Sequence, residues 1–300
     1  MLSLKRTEAN ALSLNISITE LIHAKANEIM AIVMKFHRTS CMQRANYNLS
    51  CDACYLPHLP KIIYSIIQGK PISFILPAFP GKSPNLSKVI GTLPDMAERH
   101  SLNFLNNLCE SIKKIYSPGA HIVICSDGRV FSDLIGIKEK DINAYQQELD
   151  LIINKCDFNN LSTFNLDQLY NGDNFQDMRN NLLQIFGEPI DVLQQKVHLG
   201  FKEQAPREER EAHRMYCGIT KFLFEDQLYP GQLKSKTALQ KDARKRAYGV
   251  IQRSNAWSKL LAKRFPEHVR LSIHPQTCGD VKIGINLLPE NFMTRGTELL

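Results

Sequence analysis

Hydroxyl, carboxylate and basic side chains follow two apolar runs of the sequence, in the stretches FPGKSPN (79–85) and CSDGRVFSD (125–133). Each stretch begins where a run of β-forming residues ends, so each is predicted to follow a buried strand. Because the carboxyl ends of parallel strands meet at one edge of a sheet, both stretches are expected to face one crevice. Two ordinary turns with surface charges are the alternative interpretation. The candidate ligand-site residues are Lys82, Ser83, Asn85 and Lys88 from the first stretch and its continuation, and Ser126, Asp127, Arg129, Ser132 and Asp133 from the second.

A third polar cluster lies in RSNAWSKLLAKRFPEHVRLSIHPQ (253–276). Its first part is predicted to be helical and carries a cation, a hydroxyl and an aromatic ring: Arg253, Ser254 and Trp257. Its last part is predicted to be a strand whose alternate residues point to one side: Arg270, Ser272 and His274. A cation, a hydroxyl and an imidazole on one strand face suit phosphate binding with proton transfer. A polar face of an edge strand is the alternative.

Strands and helices alternate around these clusters. Strands are predicted at 71–79 and 121–125 with an amphipathic helix at 96–116 between them, which makes a βαβ unit with parallel strands. Further helices are predicted at 17–40, 139–155, 174–197, 207–228 and 235–265, further strands at 269–276 and 281–289, and a polar loop between the helices at 139–155 and 174–197. The predicted fold is α/β, with a largely parallel sheet flanked by helices. A helical N-terminal segment (1–60) precedes the α/β domain (61–300).

Composition and charge argue against several classes of protein. With 300 residues and 43% hydrophobic content the chain can bury a full core, and no apolar run is long enough to span a bilayer. The formal charge is +7, and residues 234–270 hold eleven Lys and Arg against two Asp and Glu. Such a block attracts nucleic acid or phosphate-bearing ligands. No RNP, helix-turn-helix or zinc-finger pattern accompanies it, so nucleic acid binding is the weaker alternative.

Metal and nucleotide motifs are incomplete. CDAC (51–54) has metal-ligand spacing with Cys41 nearby, but no second C-x-x-C or H-x-x-x-H follows, so no metal site is predicted. GKS (81–83) resembles the end of a P-loop, but Leu76 stands where the first glycine is required. Eight scattered cysteines and the lack of a signal-peptide pattern predict reduced thiols and a cytoplasmic location.

Four stretches together resemble the pyoverdine/dityrosine biosynthesis family, the isonitrile (isocyanide) synthases. They are PAFPGKSPNLSKVIGTLPDMAE (77–98), YSPGAHIVICSDGRVFSDLIG (116–136), RSNAWSKLLAKRFPEHVRLSIHPQ (253–276) and KIGINLL (282–288). The resemblance runs in order over about residues 60–290 and involves long motifs, so it is highly specific.

The resemblance implies a Rossmann-like α/β enzyme that converts the α-amino group of an aromatic amino acid, tryptophan or tyrosine, into an isonitrile. It implies that the added carbon comes from the ketone carbon of ribulose 5-phosphate, with no metal and no organic cofactor. It also implies an iron- and 2-oxoglutarate-dependent oxygenase that processes the product in the same pathway.

The resemblance and the residue chemistry together suggest a role for each candidate. Phosphate or carboxylate binding is expected from Lys82, Arg129 and Arg253, with support from Arg270. Proton transfer is expected from Asp127, Asp133 and His274. Hydrogen bonds to substrate are expected from Ser83, Ser126 and Ser132. Trp257 either walls the aromatic pocket or belongs to the core.

One departure from the family pattern concerns the C-terminal end. A T-P-W-H segment is expected shortly after KIGINLL, whereas this sequence continues as LPENFMTRGTELL (288–300). A truncated C-terminus, and with it a catalytically compromised protein that binds substrate, is therefore the alternative hypothesis.

Overall fold

A parallel sheet organises the part of the chain that the structure describes. The computed structural model describes residues 2–38, 52–170 and 174–288, with the backbone alone for residues 2–17. The helices are α1 (Leu2–Met34), α2 (Asp52–Tyr55), α3 (Leu59–Ile67), α4 (Met96–Lys113), α5 (Gly128–Ile135), α6 (Glu139–Lys155), α7 (Phe175–Phe186), α8 (Ile190–Leu199), α9 (Arg207–Asp226) and α10 (Lys236–Arg264). The strands are β1 (Ile72–Ala78), β2 (Ala120–Ser126), β3 (Leu161–Phe164), β4 (Val269–Ser272) and β5 (Ile283–Gly284).

The strand order is β3-β2-β1-β4-β5, and every pair is parallel. The chain runs outward from β1 to β3 on one side, and then returns to place β4 on the other side of β1. The strand order therefore reverses between β1 and β4. In open parallel sheets, ligands bind in the crevice at the carboxyl ends of the strands where this reversal occurs.

Helices cover both faces of the sheet. On the first face α1, α3, α4 and α6 pack against strand residues such as Phe74 and Ile122, which are fully buried. On the second face α5, α7 and α10 pack against alternate residues such as Ile75 and Cys125. Strands that are buried on both faces need nearly continuous apolar sequence, which β1 and β2 have. None of the helices in the described ranges is both long and apolar enough to cross a membrane.

The structure confirms the α/β prediction with a mainly parallel sheet and corrects several boundaries. The segment LSTF, predicted to be part of a loop, forms β3, because it pairs with β2 from Ile122↔Leu161 to Cys125↔Phe164. The helix predicted at 174–197 is two helices, because Pro189 lacks the N–H that a helix interior requires. The helix predicted at 17–40 begins at Leu2 and ends at Met34.

The two C-terminal strands are also shorter than predicted. β4 ends at Ser272 and β5 contains two residues, so His274 lies beyond the strand on which it was expected. The stretch after β2, predicted to be a polar loop, becomes α5 directly at Gly128.

Candidate active site

The tips of β1 and β2 are held against each other at the carboxyl edge of the sheet. The Ser126 hydroxyl donates a hydrogen bond to the carbonyl of Phe79 at 3.0 Å. Phe79 has a φ of 61°, a left-handed conformation that strains a non-glycine residue. A Cβ on Gly128 would lie 2.3 Å from the carbonyl oxygen of Pro80, so this approach requires glycine. The two polar stretches therefore meet, as the sequence predicted.

Asp127 stands between these tips, at the start of α5. Its Oδ1 is buried and has no hydrogen-bond partner among the described residues, while the residue as a whole keeps partial exposure. Burial raises the pKa of Asp127 to about 7, although a hydrogen bond from its own backbone N–H partly opposes the rise. A carboxyl group that is close to half-protonated at neutral pH can act as either acid or base.

Arg270 lies on β4, on the second face of the sheet, and Lys282 directly precedes the adjacent strand β5. Leu271 pairs with Ile283, so the residues just before them occupy matching positions. The Arg270 Nη2 donates to the carbonyl and to the hydroxyl of Ser258, at 3.3 and 2.5 Å, and its buried Nε has no partner in the part of the chain that the structure describes. Burial lowers the pKa of Lys282, and repulsion from Arg270 lowers it further. Lys282 was not among the residues singled out from the sequence.

Cys125, which is fully buried on the same face, lies within electrostatic range of both Asp127 and Arg270. Burial raises the pKa of the Cys125 thiol, the Asp127 carboxylate raises it further, and Arg270 opposes the rise. The thiol therefore stays protonated at neutral pH.

Ser272 and His274 complete this group at the end of β4. The Ser272 hydroxyl oxygen is buried and accepts hydrogen bonds from the His274 backbone N–H and from Gln276 Nε2, both at 3.1 Å. His274 as a whole residue is exposed to solvent. Partial desolvation of its ring, with repulsion from Arg38 and Lys282, lowers the pKa of His274. At neutral pH His274 is therefore mostly neutral and can accept a proton.

The predicted cation Lys82 is bound internally rather than open to a ligand. Its Nζ lies 2.9 Å from Asp95 and 2.6 Å from Glu98, the two residues that cap the start of α4. The other carboxylate oxygen of Glu98 accepts a hydrogen bond from the Tyr145 hydroxyl. This arrangement ties the loop after β1 to α4 and α6.

The same loop is also tied to α9. The Ser83 hydroxyl donates to Asp226 at 2.6 Å, and the Lys88 Nζ lies 3.3 Å from the same carboxylate oxygen. Asn85 Nδ2 donates to the carbonyl of Leu228. Ser83 and Lys88 therefore contact a buried carboxylate about 140 positions away in the sequence, which sequence spacing could not indicate.

Arg129, Ser132, Asp133 and Arg253 belong to an internal polar network around α5. Arg253 forms two hydrogen bonds with the Asp133 carboxylate, at 2.5 and 2.9 Å. Arg129 pairs with Asp167 at 2.8 Å and donates to an amide oxygen on α6.

A cation that the sequence analysis missed, Arg179, holds this network together. Its guanidinium is 2% exposed, and it donates to the Arg129 carbonyl and to the Ser132 hydroxyl, at 2.9 and 2.6 Å. Its Nε also lies 3.4 Å from Asp133. An arginine on an amphipathic helix gives no sign in the sequence that its side chain is buried.

Trp257 lies in the core of the second face. It is 2% exposed and stacks on Phe164 with ring centroids 5.8 Å apart. Its indole Nε1 has no hydrogen-bond partner among the described residues. Ser254, one turn earlier, is half-buried. Of the two locations that the sequence left open for Trp257, the structure favours the core.

The described residues contain no cluster of three or more His, Cys, Asp or Glu that could hold a metal ion. Of the CDAC motif, Cys54 lies 3.6 Å from the sulfur of Cys278, whereas Cys51, like Cys41, falls outside the described ranges. The C-terminal residues 289–300, including most of LPENFMTRGTELL, also lie outside them.

Comparison with known proteins points to a single family. Residues 62–295 match the family described as pyoverdine/dityrosine biosynthesis protein. The L-tyrosine isonitrile synthase of Pseudomonas aeruginosa is 46% identical over 235 residues, which cover 77% of this chain and 69% of that protein. The L-tryptophan isonitrile synthase AmbI2 of Fischerella ambigua is 42% identical over 238 residues, which cover 79% of this chain and 69% of that protein.

A solved structure agrees with these relatives. The crystal structure of PvcA from Pseudomonas aeruginosa superimposes with a TM-score of 0.81 at 41% identity, covering 89% of this chain and 84% of that one. Agreement in both sequence and fold over most of the chain indicates an enzyme of the isonitrile synthase type. The chain therefore belongs to the pyoverdine/dityrosine biosynthesis family.

Proposed function

We propose that this enzyme converts the α-amino group of L-tyrosine or L-tryptophan into an isonitrile, with the ketone carbon of ribulose 5-phosphate as the source of the added carbon. Relatives that are 42–46% identical are named for one or the other amino acid. The strand order supports a Rossmann-like fold, in which a substrate would bind at the reversal between β1 and β4.

The observation that carries the proposal is Asp127. An amine that attacks a ketone carbon must lose a proton, and the ketone oxygen must gain protons to leave as water. A single group that both donates and accepts protons at neutral pH serves both steps. Asp127 has the required pKa of about 7 and lies at the strand tip that faces the crevice.

The remaining candidates take supporting parts in this proposal. His274 is proposed as a second proton acceptor at the rim, since its pKa is lowered. Lys82, Arg129 and Arg253, which are all ion-paired, would fix the walls of the crevice. Asp133 is proposed to position Arg253 and not to transfer protons, because two short hydrogen bonds occupy its carboxylate. A downstream iron- and 2-oxoglutarate-dependent oxygenase would consume the product.

The test is turnover with ribulose 5-phosphate labelled with ¹³C at the ketone carbon. We expect mass spectrometry and ¹³C NMR to find the label in the isonitrile carbon of a tyrosine or tryptophan product. Asp127→Asn should lower turnover by about 10²- to 10⁴-fold, the usual contribution of general acid–base catalysis. An isonitrile that carries no label would contradict the carbon source, and no isonitrile from either amino acid would contradict the proposed activity.

A further inference from the structure

The positive charges near the crevice differ in whether a carboxylate neutralises them. Lys82, Arg129 and Arg253 each have a carboxylate oxygen within 2.8 Å. Neither Arg270 nor Lys282 forms an ion pair with any residue in the described ranges. Within the described ranges, Arg270 forms hydrogen bonds with Ser258, which is neutral.

The charge around this pair is unbalanced. Asp280 attracts both cations without forming an ion pair with either. Lys61 lies within electrostatic range of Arg270 and adds a third positive charge. Among the described residues, Asp280 is therefore the one carboxylate that acts on Arg270 and Lys282, and positive charge outweighs it. Partly buried charge of one sign is costly unless a ligand of opposite sign compensates it.

Two features of the pair suit a phosphate group. Arg270 offers a planar guanidinium whose buried Nε has no partner among the described residues, and Lys282 offers a compact ammonium beside it. A guanidinium and an ammonium together can bind several oxygens of one dianion. A single carboxylate would leave part of the positive charge uncompensated.

We propose that Arg270 and Lys282 bind the phosphate group of the sugar phosphate substrate. This assignment rests on the proposed function, and it moves the phosphate site away from Lys82, Arg129 and Arg253.

The position of the pair relative to Asp127 fits a short sugar phosphate. Arg270 pairs with Ile75, which pairs with Val123, and Asp127 follows four residues later. Two strand spacings and four residues along a strand separate the α-carbons of Arg270 and Asp127 by about 16 Å. The side chain of Arg270 is long enough to bridge part of this distance. A five-carbon sugar phosphate spans much of the rest and brings its ketone toward Asp127.

The test compares Lys282→Met with Lys282→Arg. Met keeps the length of the side chain and removes the charge, so we expect the KM for ribulose 5-phosphate to rise about 10- to 100-fold, the range of a charge-assisted hydrogen bond. The KM for the amino acid should change by less than about threefold, while Arg at this position should recover most of the loss. Lys241→Met, on an exposed part of α10, is the matched control and should behave as the wild type.

Direct binding separates this inference from the proposed function. In calorimetric titrations with ribulose 5-phosphate, and with inorganic phosphate as a competitor, Lys282→Met should lose affinity by the same factor as its KM rises. An unchanged affinity for ribulose 5-phosphate would overturn the inference even if the wild type makes isonitrile. The wild type could also bind ribulose 5-phosphate without any turnover. If Lys282→Met then weakens this binding, the result supports the phosphate site and contradicts the proposed activity.

Folding of the variant can be checked independently. Removing a repelled, partly buried charge should leave the melting temperature of Lys282→Met equal to or above that of the wild type. If Lys282→Met raises the KM for the amino acid and leaves that for ribulose 5-phosphate unchanged, the pair binds the amino acid carboxylate and the phosphate assignment is wrong.

Discussion

Replacing Asp127 with asparagine removes a buried carboxyl group and keeps its shape. In the folded protein the pKa of this carboxyl is about 7, against a value of 3.8 for an ordinary aspartate. The folded state therefore holds a proton that the unfolded chain releases between these two values. This difference in pKa destabilises the folded wild type. The penalty in folding free energy is absent below about pH 4, grows as the pH rises, and stays constant above about pH 7.

The size of this penalty follows from the two pKa values. A difference of about three units, at about 1.4 kcal/mol per unit, destabilises the folded wild type by up to about 4 kcal/mol at pH 8. At pH 5 the unfolded carboxyl is ionised while the folded one is protonated, and the penalty is about 2 kcal/mol. Asparagine has no such titration. The stability of Asp127→Asn relative to the wild type should therefore rise by about 2–3 kcal/mol between pH 5 and pH 8.

Urea unfolding of both proteins at pH 5, 6, 7 and 8 measures this difference, because the other titrating groups cancel in the comparison. Asp157→Asn is the control. Asp157 is exposed and has a φ of 54°, a conformation that asparagine adopts readily, so this variant makes the same chemical change at the protein surface. A difference between Asp127→Asn and the wild type that does not change with pH would refute the raised pKa, and with it the proton-transfer role.

Three further predictions concern the surroundings of the site. Asp133→Ala leaves Arg253 buried without its two hydrogen bonds to Asp133. Urea unfolding should show that the free energy of unfolding falls by about 2–3 kcal/mol. A fall below about 0.5 kcal/mol would contradict the structural role of the pair. Gly128→Ala should lose about 2 kcal/mol or more, because the new Cβ meets a carbonyl oxygen at 2.3 Å. Gly218→Ala, in α9 with open space around it, should gain about 0.5–1 kcal/mol, and equal effects at the two glycines would refute the steric argument. Trp257 is the single tryptophan, so the emission of the protein should be that of a buried indole and should not shift with saturating tyrosine; a shift would place Trp257 in the binding pocket.

The helices were predictable where their apolar stripe is long. The helix predicted at 139–155 matches α6 residue for residue, and the start of α9 was predicted at its observed position. The periodic burial of side chains needs only neighbours within the same helix, so the sequence displays it directly. The strand β3 was missed because its four residues are short and flanked by polar residues, and its pairing with β2 is what makes it a strand.

The candidate site was predictable only in part. Asp127 and Arg270 were recognised because their residue types follow or lie within apolar strands. The sequence could not show that Arg253 is ion-paired and unavailable to a ligand, since its carboxylate partner lies 120 positions away in the chain. Lys282 was overlooked because a single lysine before a short strand resembles a surface residue.

The sequence by itself determined helices with a long apolar stripe, such as α6, the parallel strands at the centre of the sheet and the polar stretches at their ends, because these depend on residues close together in the chain. It also carried the motifs that identify the family. Only the tertiary structure decided which of the charged candidates are neutralised and which are not. Whether a charge is compensated depends on the groups that surround it in space, and here those groups come from helices and strands far apart in the sequence. Such surroundings raise the pKa of Asp127 and leave Arg270 and Lys282 without an ion pair to any described residue, and neither effect follows from local sequence.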